Sequence, residues 1–178
     1  MPSVTEILGV YNDFSRVPKD RLQAAADRGT RVHHACAAIA NGIHLFRPDN
    51  DIDGYVDSFR KWFDNVEDVL LCEKELYHSI YEYHGHPDLV IKFFGETCYR
   101  VVDIKTPIKA SPTWPSQIAA YERLVLDLYR PIKLDHSGTL SLAANGTEAK
   151  FTDYSKTRLS NWLNFLAALQ AYKAFKEE

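Results

Sequence analysis

The chain is poor in the residues that announce several common functions. It holds only three cysteines, Cys36, Cys72 and Cys98, widely spaced and without a CxxC pair. That count excludes a zinc ribbon or a four-cysteine iron–sulfur cluster within one chain. Reduced, buried thiols in an intracellular protein are the expectation instead. No apolar run approaches the ~20 residues of a membrane span, and the N-terminus lacks a signal-peptide pattern. A cytoplasmic protein with no membrane partner is therefore expected. Repeats, linkers and low-complexity segments are also missing.

What is present is ordinary in amount and uneven in placement. The 178 residues are 46% hydrophobic and 25% charged, which suits one domain (1–178) with a substantial core. The net charge is −3, yet the charge is segregated. Arg16 to Arg31 carries five basic and two acidic residues, and Lys92 to Lys133 carries seven and four. Asp49 to Glu82 reverses the balance, with ten acidic and three basic. Such separation suits a phosphate-bearing substrate.

Ser3-Val4-Thr5-Glu6 reads as a capping box opening a short helix to about Tyr11. Pro18 suits the first turn of a longer helix that stops at Asn41-Gly42. Its apolar or small stripe is Leu22, Ala26, Gly29, His33, Cys36 and Ala40, which places His33 on the buried face and His34 off it. Gly29, one turn before His33, suggests a close backbone approach. Residues 51–64 read as a helix. Val69 to Tyr77 reads as a strand with Leu71, Glu73, Glu75 and Tyr77 on one face, and a second strand region runs from Ile80 through a bend at Gly85. Three prolines hold residues 106–115 out of regular structure. A helix from Ser116 to Tyr129 buries Ile118, Leu124, Val125 and Leu128. Short strands at 131–134 and 140–142 flank an Asp135–Gly138 turn. A final helix from Ser155 to Lys176 carries Leu159, Trp162, Leu163, Leu166, Leu169 and Tyr172. The order predicts an α/β fold with one central mixed β-sheet flanked by helices.

The stretch from Gly85 to Thr106 carries the chemistry. Two β-prone runs flank Gly95-Glu96, the signal for a tight hairpin. With a two-residue turn there, Asp88 stands opposite Asp103, and Asp88, Asp103 and Lys105 share a face. Opposed carboxylates repel, and a divalent cation between them would turn repulsion into binding.

Pro87-Asp88 followed by Asp103-Ile104-Lys105 resembles the PD-(D/E)xK nuclease motif. Arg28-Gly29-Thr30-Arg31-Val32-His33 resembles the GxxxH helix motif of the RecB-like branch, which includes CRISPR-associated exonucleases. Gln117-Ile118-Ala119-Ala120-Tyr121 resembles its QxxxY motif, and Glu73 the glutamate on the strand before the core aspartate. The opening segment and the Trp/Tyr-rich last helix are similar to phage and mitochondrial exonucleases of that branch. The resemblance implies a restriction-endonuclease-like core. It implies Mg²⁺ or Mn²⁺ held by Asp88, Asp103, the Ile104 carbonyl and His33, with Glu73 at a second position or on a water ligand. Lys105 would orient and help deprotonate the attacking water, and Gln117 and Tyr121 would contact phosphate or brace the lysine. Glu75 shares the expected strand face with Glu73 and stays the alternative. Trp114 is a candidate for stacking on a base of single-stranded nucleic acid, or for pinning its own loop.

The function expected is a metal-dependent DNA exonuclease acting on single strands or duplex ends, from a bacterium or phage. No GxxxxGK[ST] motif is present, so unwinding would fall to a helicase or annealing partner. The cysteine cluster of the CRISPR-associated relatives is missing, which speaks against a role in CRISPR adaptation. A structure-specific or restriction-type endonuclease and an inactive DNA-binding or assembly module are the alternatives.

Overall fold

The computed structural model describes residues 1–13, 15–44, 51–106 and 109–176. The capping box forms as expected. The Ser3 hydroxyl accepts from the Glu6 amide, the Glu6 carboxylate accepts from the Ser3 amide, and α1 (Val4–Gly9) begins there. Helices α2 (Lys19–Ala40) and α3 (Asp53–Phe63) follow. Next come β1 (Val66–Cys72), β2 (Leu76–His78), β3 (Tyr83–Gly85), β4 (Leu89–Phe93) and β5 (Arg100–Lys105). Helix α4 (Trp114–Leu128) crosses over to β6 (Gly138–Ser141), and β7 (Lys150–Asp153) leads into α5 (Arg158–Lys176).

The main sheet runs β1-β4-β5-β6-β7 and is parallel only at β5–β6, the two strands that α4 connects. The fold is thus α/β, a mixed five-stranded sheet flanked by helices. Strands β2 and β3 pair separately. Strand alternation divides the core into two. Val90 and Val101 join Tyr83, Tyr121, Trp162 and Phe165 under α1, α4 and α5. Leu89, Ile91, Val102 and Ile104 join Val32, Cys36, Phe59 and Trp62 under α2 and α3. Asp103 and Lys105 alternate with Val102 and Ile104, so they project on the α4 side.

The hairpin register is the one expected, with Leu89 opposite Val102 and Ile91 opposite Arg100. Its turn is not. The ladder stops at Ile91–Arg100, Gly95 takes φ +77° in a turn closed from the Glu96 amide to the Phe93 carbonyl, and Tyr99 bridges to Leu134 instead. Only that bridge represents the strand expected at 131–134, and β7 was not anticipated. The strand expected over 69–77 breaks after Cys72, where Glu73 adopts φ +48°.

The helix stripes also differ from expectation. Leu22 and Ala26 are exposed, and α2 buries Val32, Ala35 and Cys36. Among the described residues, nothing packs on the first half of that helix, so its periodic pattern has no surface to bury against. Among the described residues Gly29 has no close backbone neighbour; the nearest described atom to a Cβ there is the Thr106 hydroxyl, 3.7 Å away. In α5, Leu159 and Leu163 are exposed, while Trp162 and Phe165 turn inward against Tyr83. The larger aromatic area decides which face is buried. Leu128, expected to be buried in α4, is exposed. The chain leaves β3 at Gly85 and bends at Asp88, and a Cβ on Gly85 would lie 2.7 Å from the Tyr121 ring, so this glycine lets α4 sit close above the site. Pro107 and Ile108 of the proline-rich segment lie outside the described residues.

Candidate metal centre and catalytic cavity

Pro87 has no amide hydrogen, and the β4 ladder begins beyond it at Leu89. At the next place along β5, the Ile104 amide donates to the Asp88 carboxylate, 2.5 Å from Oδ2. Asp88 is thereby fixed as a side-chain extension of the sheet, with Oδ1 left to face α2. There it meets His33 Nδ1 at 3.1 Å. Glu73 reaches the same point from the end of β1, with Oε1 3.8 Å from that nitrogen. Its left-handed backbone, which costs about 1–3 kcal/mol in a non-glycine residue, is tied down by its amide donating to the Asp88 carbonyl at 2.9 Å. The ligand atoms of His33, Glu73 and Asp88 all lie within 4.8 Å of one another.

Asp103 and Lys105 stand beside this group rather than within it. Lys105 Nζ lies 2.5 Å from Asp103 Oδ2 and donates to Gln117 Oε1 at 3.1 Å. The Gln117 amide in turn donates to Asp103 Oδ1 at 3.3 Å and to the Tyr121 hydroxyl at 3.1 Å. Gln117 and Tyr121, one turn apart on α4, therefore brace the lysine–aspartate pair. Trp114 opens α4 and is buried, with Lys105 over its ring at 5.3 Å from the centroid. Its place is beneath the lysine, which fits the loop-pinning reading and not base stacking. Ile104 enters the site through its amide.

The electrostatics follow from this crowding. Burial pulls the His33 pKa down, but the Asp88 charge, hydrogen bonds to Asp88 and Glu73, and the Asp103 charge together push it up to about 10. Burial raises the Asp103 carboxyl above its usual range; Lys105 opposes that rise, Asp88 adds to it, and His33 opposes it. The site is thus a carboxylate cluster that gathers positive charge. An imidazole and two carboxylates match the donor set of a hard or borderline divalent ion such as Mg²⁺ or Mn²⁺. His33, Glu73 and Asp88 are the residues placed to hold one, with Asp103 adjoining.

A cavity of about 320 Å³ is lined by His33, Asp88, Asp103, Lys105, Gln117 and Tyr121, with Ser3, Thr5 and His86 also in its wall. A larger one, about 600 Å³, lies by Leu70, Tyr99 and Tyr129 near the other end of the strands, and no carboxylate or imidazole lines it. The smaller cavity is the one with chemistry. The Glu73/Glu75 alternative resolves by position. Glu75 faces His84 at 2.7 Å and His86 at 3.3 Å and accepts from the Tyr77 hydroxyl. From sequence, His84 and His86 carry no role, and Ser3 and Thr5 only one in opening α1. The Tyr83-His84-Gly85-His86 alternation beside Asp88 was the one available signal. No protein-family model matches this sequence, and no curated protein matches it.

Proposed function

We propose that this protein is a divalent-metal-dependent nuclease that hydrolyses DNA phosphodiester bonds, built on a restriction-endonuclease-like core of the PD-(D/E)xK type. The observation that carries the reading is the Asp103–Lys105–Gln117 network sharing one cavity with His33 and Asp88, which Glu73 adjoins. Lys105, oriented by Asp103 and Gln117, is placed to steer a water toward a phosphate and to take part in its deprotonation. Asp88 and Glu73 supply hard oxygen donors, and His33 tilts the preference toward Mn²⁺ over Mg²⁺. When bound, the ion supplies Lewis acidity, offsetting charge on phosphoryl oxygens and acidifying water. Single strands or duplex ends are the substrate, processed exonucleolytically, with unwinding left to a helicase or annealing partner.

The test is cleavage of labelled linear DNA with Mg²⁺ or Mn²⁺, and none with EDTA. Lys105→Ala and Asp103→Asn are expected to lower the rate about 100-fold or more. Full activity in either variant would sink the mechanism. Cutting of circular single-stranded DNA would replace the exonuclease reading with an endonuclease, and metal-independent binding without cleavage would replace both with a binding module.

A further inference from the structure

The tip of the β2–β3 hairpin meets α4 and α5 at another cavity, about 400 Å³, that shares no lining residue with the catalytic one. His78, Tyr81, Arg123, Asp127, Arg130 and Trp162 are among its lining residues. Its two arginines differ. Arg130 donates to the Asp127 carboxylate at 3.3 Å and to the Leu126 carbonyl at 3.4 Å. Arg123 lies over the Trp162 ring, 5.2 Å from the centroid, and is half-buried. Among the described residues it has no hydrogen bond or ion pair.

A guanidinium is always charged and carries five donors in a fixed plane. The contact with Trp162 holds the guanidinium over the ring without using any donor. Asp127, the carboxylate in the cavity, is already taken by Arg130, so the positive charge of Arg123 is left over. Beside it, Tyr81 packs edge-on to Trp162 at 5.3 Å and is partly exposed, and Ile80 is exposed. A cation held over a ring, with free donors beside an accessible aromatic surface, is the chemistry that receives a phosphate with a base attached.

We propose that this cavity is a phosphate-binding subsite for the stretch of single-stranded nucleic acid lying outside the catalytic cavity. Arg123 holds one backbone phosphate, and Tyr81 and Ile80 take the adjoining base. The inference rests on the nuclease reading and adds a second point of contact to it. Gly85 lines the catalytic cavity and pairs with Leu76, two residues before His78 in the second cavity. At ~3.3 Å per strand residue the hairpin sets the two on the order of 10 Å apart, a separation that a short run of nucleotides bridges.

The experiment is fluorescence anisotropy with a labelled single-stranded oligonucleotide in EDTA, for the natural chain, Arg123→Gln and Arg123→Lys, over a range of salt. Arg123→Gln is expected to weaken binding about tenfold and to flatten the dependence of log K on log salt by about 0.7. Arg123→Lys should recover most of both. Unchanged affinity and slope in a folded Arg123→Gln protein overturn the proposal. Equal loss in Gln and Lys variants also overturns it, because packing on Trp162 would then be the role. Arg123-dependent binding of inorganic phosphate, with oligonucleotide affinity unchanged in Arg123→Gln, would assign the site to free phosphate and overturn the strand contact. Cleavage of the same oligonucleotide with Mn²⁺ separates the two readings. A natural chain that cleaves while Arg123→Gln binds normally removes only this subsite, and a natural chain that neither binds nor cleaves removes both.

Discussion

Raising the pH tests whether His33 holds a proton in the metal-free protein and exchanges it for an ion. In the folded chain its pKa is pushed up to about 10 from 6.5, chiefly by Asp88 and Glu73 acting against burial. A folded value above the unfolded one means that protonated His33 contributes stability in full below pH 6.5. That contribution fades as pH rises through about 10. At ~1.4 kcal/mol per pH unit, the gap sets a ceiling of about 5 kcal/mol, and partial exposure of the ring reduces the amount realised. Urea unfolding of the natural chain and of His33→Asn, both in EDTA, should therefore give a stability difference that shrinks between pH 6.5 and 10. Metal binding runs the other way, because the ion needs the neutral ring. At pH 7.5 calorimetry in buffers of different ionisation enthalpy should record about one proton released per ion. Affinity should rise about tenfold per pH unit up to pH 9. A difference between natural chain and His33→Asn that does not move with pH, or metal binding that releases no proton, would refute the reasoning.

Two stability predictions come from elsewhere in the fold. The Glu122 carboxylate is buried on α4 and accepts from Arg158 of α5 at 2.9 and 3.0 Å. Arg158→Ala strands that charge and should cost about 3–5 kcal/mol in urea unfolding, with Glu122→Gln in the same chain restoring part of it. Gly29→Ala should stabilise α2 by about 0.5–1 kcal/mol, since among the described residues a Cβ there meets only the Thr106 hydroxyl at an ordinary 3.7 Å and helical glycine is unfavourable. A lower melting temperature for that variant would revive the close backbone approach that the sequence suggested.

The residues that were legible in sequence are those constrained by their immediate neighbours. Ser3 and Glu6 cap a helix through contacts three residues apart. Strand alternation and a common pairing sum placed Asp88 across from Asp103, and Leu89 does face Val102. The register survived although its supposed cause did not, because the inward apolar residues Ile91 and Val102 fix it independently of the turn. The failures share a different physics. Tyr99 left the hairpin for Leu134, a choice made by distant chain. Trp162 and Leu169 are buried as the stripe expected, but Leu159 and Leu163 lost their place to Phe165, which Tyr83 meets in an aromatic contact that periodicity does not encode.

The site itself needed both kinds of information. Asp103 and Lys105 share a strand face, which spacing alone dictates. Glu73 reaches His33 only because β1 ends at Cys72 and the chain turns through a left-handed residue. The pattern that put Glu73 and Glu75 on one strand face could not separate them. Their divergence is the consequence of that single positive φ: one carboxylate swings to His33 and Asp88, and the other is captured by His84 and His86. Backbone strain of this kind persists only where surrounding contacts hold it. Here the holding contact is the Glu73 amide on the carbonyl of Asp88, so the aspartate that anchors the cluster also fixes the strained residue that completes it.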